Sequence, residues 1–287
     1  MPAVIKHFFD APTFNFTYVV HDPETKAGVV IDPVLNYEPA AGKCTKESVK
    51  RLVNYVESEN ISVEYLLDTH IHADHLSGTS ELKAAIGGKI GIGSQVIQVQ
   101  ETFANVFNAE PSFIADGSQF DVLFEDDESF TVGKLKFKVW HTPGHTPACV
   151  SYLVEDCIFV GDTLFMPDYG TARTDFPAGS AQTLYQSIQR ILSLPDQTRI
   201  FLCHDYGTET RPEVCEQTTV REEKAHNIHV GDLSSEEHFI KMREARDAKL
   251  STPTLLYPSV QFNMRGANFP PAEKNGVRYF KMPLTLT

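Results

Sequence analysis

Apolar positions along this chain recur with two periods. Residues 62–67, 135–140, 157–160 and 199–203 are short runs rich in Val, Ile, Leu, Phe or Tyr, either alternating with polar residues or apolar throughout, and they predict β-strands. A further strand is expected at 89–92, where Gly87-Gly88 closes the helix before it. The helical period governs 45–59, which sets Val49, Leu52, Val53 and Val56 on one face, and 180–192, which does the same with Leu184, Ile188 and Ile191. Ser234-Ser-Glu-Glu237 reads as a capping box opening a helix that runs to about Lys249. Strands and helices interleaved in this way predict an α+β protein, a two-sheet core with helices outside, or αββα four-layer sandwich.

The 287 residues contain no repeat, no low-complexity tract and no linker rich in Ser, Gly or Pro. One domain spanning 1–287 is therefore expected, with a C-terminal helical and irregular extension from about residue 212. Past Leu250, with Pro253, Pro258, Pro270 and Pro271, the chain reads as irregular, wrapping the core or an interface. The formal net charge of −13 and the lack of a basic, aromatic-studded stripe argue against nucleic-acid binding. Asp126-Asp127-Glu128 is the densest acidic run and reads as an exposed turn. No apolar run is long enough for a membrane span, and no apolar signal segment follows Met1-Pro2-Ala3, so a soluble cytoplasmic protein is expected. Cys44, Cys149, Cys157, Cys203 and Cys215 are odd in number and lack close-paired spacing, which predicts neither a disulfide framework nor a catalytic thiol.

The chemistry is concentrated in Asp68-Thr69-His70-Ile71-His72-Ala73-Asp74-His75, three of the eleven histidines and two acids in eight positions. Imidazole nitrogen and carboxylate oxygen are ligands for divalent transition metals. The other predicted strands end the same way: 135–140 leads through His141-Thr142-Pro143-Gly144 to His145, 157–160 through Gly161 to Asp162, and 199–203 directly to His204. Ligand-type residues at the carboxyl ends of four strands converge on one rim of a sheet. The candidate ligands are His70, His72, Asp74, His75, His145, Asp162 and His204. Pro143-Gly144 and Gly161 supply the sharp turns that aim His145 and Asp162 back across that rim. His7, His21, His226, His229 and His238, each alone, read as ordinary surface or hydrogen-bonded side chains. From residue types alone, the seven ligands suit two zinc ions as well as one iron.

Thr-His-Ile-His-Ala-Asp-His-Leu-Ser-Gly from Thr69, Thr142-Pro-Gly-His-Thr146, Gly161-Asp-Thr-Leu164 and Cys203-His-Asp-Tyr-Gly207 stand in the order used by the metallo-β-lactamase fold superfamily, which this chain resembles from about residue 13 to about residue 266. Ala172-Arg-Thr-Asp-Phe-Pro177 and Asn263-Met-Arg-Gly266 resemble its persulfide dioxygenase group more than the related glyoxalase II thiolesterases. The stretch 165–171 is longer than in the glyoxalase relatives, which bears on where Arg173 falls. The resemblance implies one iron(II) per chain held by His70, His145 and Asp162, with His72, Asp74, His75 and His204 supporting it or forming a vacant second metal site. It implies glutathione persulfide and O2 as substrates, with sulfite and glutathione as products. A substrate with several negative charges needs local cations on so acidic a chain, and Arg173, Arg246, Lys249 and Arg265 are the candidates; Tyr206 matches a glutathione contact of the thiolesterases. A zinc-dependent thiolesterase is the alternative, and a non-catalytic metal-binding protein a more distant one. A homodimer is a reasonable expectation for an enzyme of this size.

Overall fold

The structure, a computed structural model, describes residues 1–231 and 235–284. In chain order the first half comprises β1 (Val4–Asp10), β2 (Asn15–His21), β3 (Ala27–Ile31), β4 (Val34–Glu38), β5 (Lys43–Thr45), α1 (Glu47–Ser58), β6 (Ser62–Leu67), β7 (Leu76–Ser77), α2 (Thr79–Ile86), β8 (Lys89–Gly93), α3 (Val96–Val106) and β9 (Val122–Phe124). The second half comprises β10 (Ser129–Val132), β11 (Leu135–His141), β12 (Val150–Val154), β13 (Cys157–Phe159), α4 (Ala181–Leu192), β14 (Arg199–Phe201), β15 (Gln217–Thr219), α5 (Val220–His226), α6 (Glu236–Asp247) and α7 (Leu256–Asn263).

Two six-stranded sheets, ordered β1-β2-β3-β6-β8-β9 and β10-β11-β12-β13-β14-β15, form the centre. Pairing from β3 to β9 is parallel, as is β13 with β14, while β1-β2-β3 and β10 to β13 are antiparallel. Side-chain alternation sorts the strands into layers. In β3, Val29 and Ile31 enter the core between the sheets and Val30 the core beneath α1, α2, α3 and α7. In β13, Cys157 and Phe159 face the other sheet while Ile158 packs beneath α4, α5 and α6. The result is the four-layer αββα sandwich expected. Strands buried on both faces give no polar alternation, which is why β2, wholly buried as Asn15–His21, escapes the periodic reading along with β3 and β12; β1 escapes it because its positions are mixed and mostly exposed or half-buried.

The predicted helix at 45–59 is Glu47–Ser58, burying Val49, Leu52 and Val56 with Val53 half-buried, and that at 180–192 is Ala181–Leu192 with Ser180 as N-cap. Of the expected capping box, Ser234 lies outside the described residues; Ser235 caps α6 by accepting from the His238 N–H at 3.3 Å. The C-terminal segment is built into both layers, since β15 extends the second sheet and α7 packs against the first. Among the described residues, no helix is long and apolar enough to cross a membrane.

Candidate metal centre

The rim holding the site is made by the carboxyl ends of β6, β11, β13 and β14, where apolar strands give way to His70–His75, His145, Asp162 and His204. Two turns there require glycine. Gly161 has φ of +52°, and a Cβ on it would meet Thr69 Oγ1 at 2.5 Å. Gly144 has φ of +142°, and its Cβ would meet the Leu184 backbone of α4 at 2.3 Å.

Five imidazoles each give one ring nitrogen to a protein acceptor and keep the other free. His70 Nδ1 donates to Thr69 Oγ1 at 3.0 Å, which donates to Asp32 Oδ2 at 2.9 Å. His145 Nδ1 donates to the Arg173 carbonyl at 2.8 Å, His204 Nδ1 to the Phe14 carbonyl at 3.2 Å, and His75 Nδ1 to Asp74 Oδ2 at 3.1 Å. His72 is reversed, its Nε2 donating to Asp32 Oδ1 at 3.0 Å. These contacts select the tautomers, leaving lone pairs on the opposite nitrogens. His70 Nε2, His72 Nδ1, His75 Nε2, His204 Nε2 and Asp162 Oδ1 are buried without a hydrogen-bond partner. Unpaired buried polar atoms of this kind are costly, and coordination to divalent metal relieves that cost. The residues therefore fit a metal, and the rim is a metal-binding site.

Two sets of side chains share the rim. His70, His145 and Asp162 bring their ligand atoms within 4.8 Å of one another, and so do His72, Asp74, His75 and His204. Asp162 lies between the sets, with Oδ2 at 3.8 Å from His70 Nε2 and 3.7 Å from His145 Nε2, and Oδ1 at 3.5 Å from His204 Nε2. Burial and the charge of His72 hold His70 well below the ordinary imidazole range; burial and His75 do the same for His72. Both are thus kept neutral, as a metal requires. Burial also depresses His204, but Asp162 and Asp74 outweigh it and raise its basicity. Asp74 is pushed up by burial and held well below the carboxylate range by the stronger combined pull of His204 and His75.

A cavity of about 300 Å³ opens over the rim. Its floor includes Asp74, His145 and Asp162, and its walls include Phe165, Tyr169, Arg173, Tyr206, Arg243 and Arg246. His70, His72, His75 and His204 are buried behind it, and the Tyr206 ring covers His204 at 5.7 Å, tilted by only 9°. Burial, with Asp162 and Asp74 nearby, pushes the Tyr206 hydroxyl up, so it remains a donor. Arg173 lines the cavity but is clamped to Asp175 by two 2.6 Å bonds. Arg246 also lines it, with no ion pair among the described residues.

Two expected substrate contacts stand elsewhere. Arg265 is turned away into a pair with Glu110, at 2.6 and 2.9 Å, and lies over the Phe113 ring. Lys249 is exposed, two residues beyond the end of α6, and does not line the cavity. Unforeseen from sequence are Asp32, which orients His70 through Thr69 and His72 directly, and Arg243, which lines the cavity while paired with Asp247 at 2.7 Å. Asp32 does follow an apolar strand, β3, as Asp162 and His204 follow theirs, and that signal could have found it.

Comparison with known proteins places these features in context. Residues 11–204 match the family model described as the metallo-beta-lactamase superfamily. The chain is 47% identical to "Glyoxylase B2" of Dictyostelium discoideum, covering 98% of this chain and 97% of that protein. It is 32% identical to the mitochondrial persulfide dioxygenase ETHE1 of Homo sapiens, covering 92% and 89%. The crystal structure of ETHE1 from Myxococcus xanthus superposes with a TM-score of 0.73 at 30% identity, covering 92% of this chain and 100% of the other.

Proposed function

This chain belongs to the metallo-beta-lactamase superfamily, and on that premise we propose that it is an iron(II) persulfide dioxygenase acting on glutathione persulfide. The observation that carries this reading is the asymmetry of the rim: the three-residue set presents His145 and Asp162 to the cavity, whereas three of the four residues of the other set are sealed behind it. Two imidazoles and one carboxylate with positions left open are the ligand set of non-haem iron oxygenases. The persulfide dioxygenase named among the relatives supports the same choice. Iron held by His70, His145 and Asp162 would supply the redox chemistry for oxidising the sulfane sulfur.

The protein's own groups bind and orient. Arg246 offers a cation to the carboxylates of glutathione, and the protonated Tyr206 hydroxyl offers a hydrogen bond. The backbone carbonyls of Arg173 and Phe14 hold His145 and His204 in one tautomer. In balance, one persulfide, one O2 and one water give glutathione, sulfite and two protons; the sulfane sulfur loses the four electrons that O2 accepts.

A second reading, a zinc-dependent thiolesterase, is favoured by the orphaned nitrogens of His72, His75 and His204 and by the glyoxylase-named relative. Metal analysis with an oxygen electrode separates the two. Protein reconstituted anaerobically with iron is expected to retain about one iron per chain and to consume O2 and release sulfite with glutathione persulfide. Two zinc ions per chain, thioester cleavage and no oxygen uptake establish the hydrolase instead.

A further inference from the structure

A second, much smaller cavity of about 10 Å³ adjoins His145, bounded chiefly by Ile71, Val99, Phe103, Pro147 and Val260. It shares only Ala73, His145 and Phe176 with the large cavity. The Phe176 ring stands edge-on to His145 at 5.0 Å, beneath the Arg173 guanidinium at 5.4 Å, and forms the partition between the two spaces. Pro177, exposed at the outer end, brings the small cavity to the surface.

We propose that this apolar cavity is the approach path and holding site for dioxygen, a proposal that rests on the dioxygenase reading above. Three observations bear on it. Its volume, about 10 Å³, limits any occupant to one very small molecule. Its walls give water almost nothing to bond: the Thr146 hydroxyl is engaged with Cys149 Sγ at 3.1 Å and the Ala148 N–H at 3.3 Å, and His145 Nδ1 is taken by the Arg173 carbonyl. A water there forfeits hydrogen bonds, whereas an apolar diatomic does not. The walls also belong to the core formed with α3 and α7, through Ile71, Ala73, Val99, Phe103 and Val260. Such a medium admits an uncharged gas and excludes an anionic tripeptide. Two reactants therefore reach the rim from different sides, and a bound persulfide filling the large cavity leaves the oxygen route open.

The test combines xenon binding with oxygen kinetics. Crystals of the iron-loaded protein under xenon pressure are expected to show xenon beside Val99 and Val260. Val99→Ile and Val260→Ile each add one methylene at the cavity wall; we expect KM for O2 to rise threefold or more, with KM for glutathione persulfide within twofold of wild type. Absence of xenon from the cavity in the wild type overturns the proposal even if neither variant folds. Oxygen uptake with KM for O2 unchanged in both folded variants also overturns it, while leaving the dioxygenase intact. No oxygen uptake by the iron-loaded wild type refutes the dioxygenase reading itself, and the oxygen route with it.

Discussion

Glu223 is a buried acid that the metal rim does not use. Its Oε2 accepts from Asn227 Nδ2 at 2.6 Å, and Oε1 has no partner. Burial above all, against the Asn227 hydrogen bond and with lesser help from Asp168 and Glu222, pushes its carboxyl up to about 8. With the folded value raised, stability is fully present below the unfolded carboxyl range and is lost as pH climbs toward 8. The slope is at most about 1.4 kcal/mol per pH unit. Wild type is expected to lose urea resistance from pH 5 to pH 8 relative to Glu223→Gln; parallel midpoint curves for the two proteins would refute this. Residue positions were unequally legible. His70, His145, Asp162 and His204 were readable because each follows a strand in sequence. The pairing of Arg265 with Glu110, 155 positions away, leaves no local trace, and the Arg173–Asp175 clamp, only two residues apart, was equally easy to overlook because charge alone does not show which partner wins.

At the scale of elements, α4 acts as the brace for His145. Its N-cap Ser180 donates its N–H to the Gly144 carbonyl at 2.9 Å, and Ser187 Oγ donates to the Pro143 carbonyl at 2.6 Å. The turn before His145 is thereby pressed against the helix so closely that only glycine fits. Gly144→Ala must displace either the helix or the turn, at a cost of roughly 1–3 kcal/mol for overpacking with further strain from the positive φ. A Tm several degrees lower and impaired metal retention are expected; metal content and melting like those of wild type would show the turn to be unconstrained. Residues 180–192 were legible because one face is apolar and the other polar, while β1, β2 and β3 were hidden by burial of both faces or by mixed Phe, His and Lys positions. The purpose of Gly144 was readable as a turn. That a helix backbone crowds it was not, because that approach is set by packing.

Across the whole molecule, the rim depends on chain that comes long after its ligands. Asn263, at the end of α7, donates from Nδ2 to the carbonyls of His72 and His75, each at 2.9 Å, and accepts from the Ser77 N–H at 2.8 Å. One buried amide therefore satisfies three backbone groups of the ligand loop from a position 186 to 191 residues away. Removing it leaves these groups buried and unpaired, at about 1–3 kcal/mol each before relaxation or water entry. Because metal binds the folded loop and not the unfolded chain in the same geometry, loop order and metal affinity are linked; saturation at a thousand times Kd is worth about 4 kcal/mol to the fold. Asn263→Ala should accordingly lower Tm with and without metal and weaken affinity in a chelator competition. Gln261→Ala is the control: Gln261 joins α7 to the Lys281 backbone at 2.8 Å, away from the rim, so it should lower Tm while leaving affinity unchanged. Equal affinities in wild type and Asn263→Ala would mean that the ligand loop holds its shape without α7, whereas a selective loss identifies the C-terminal segment as part of the metal site's support.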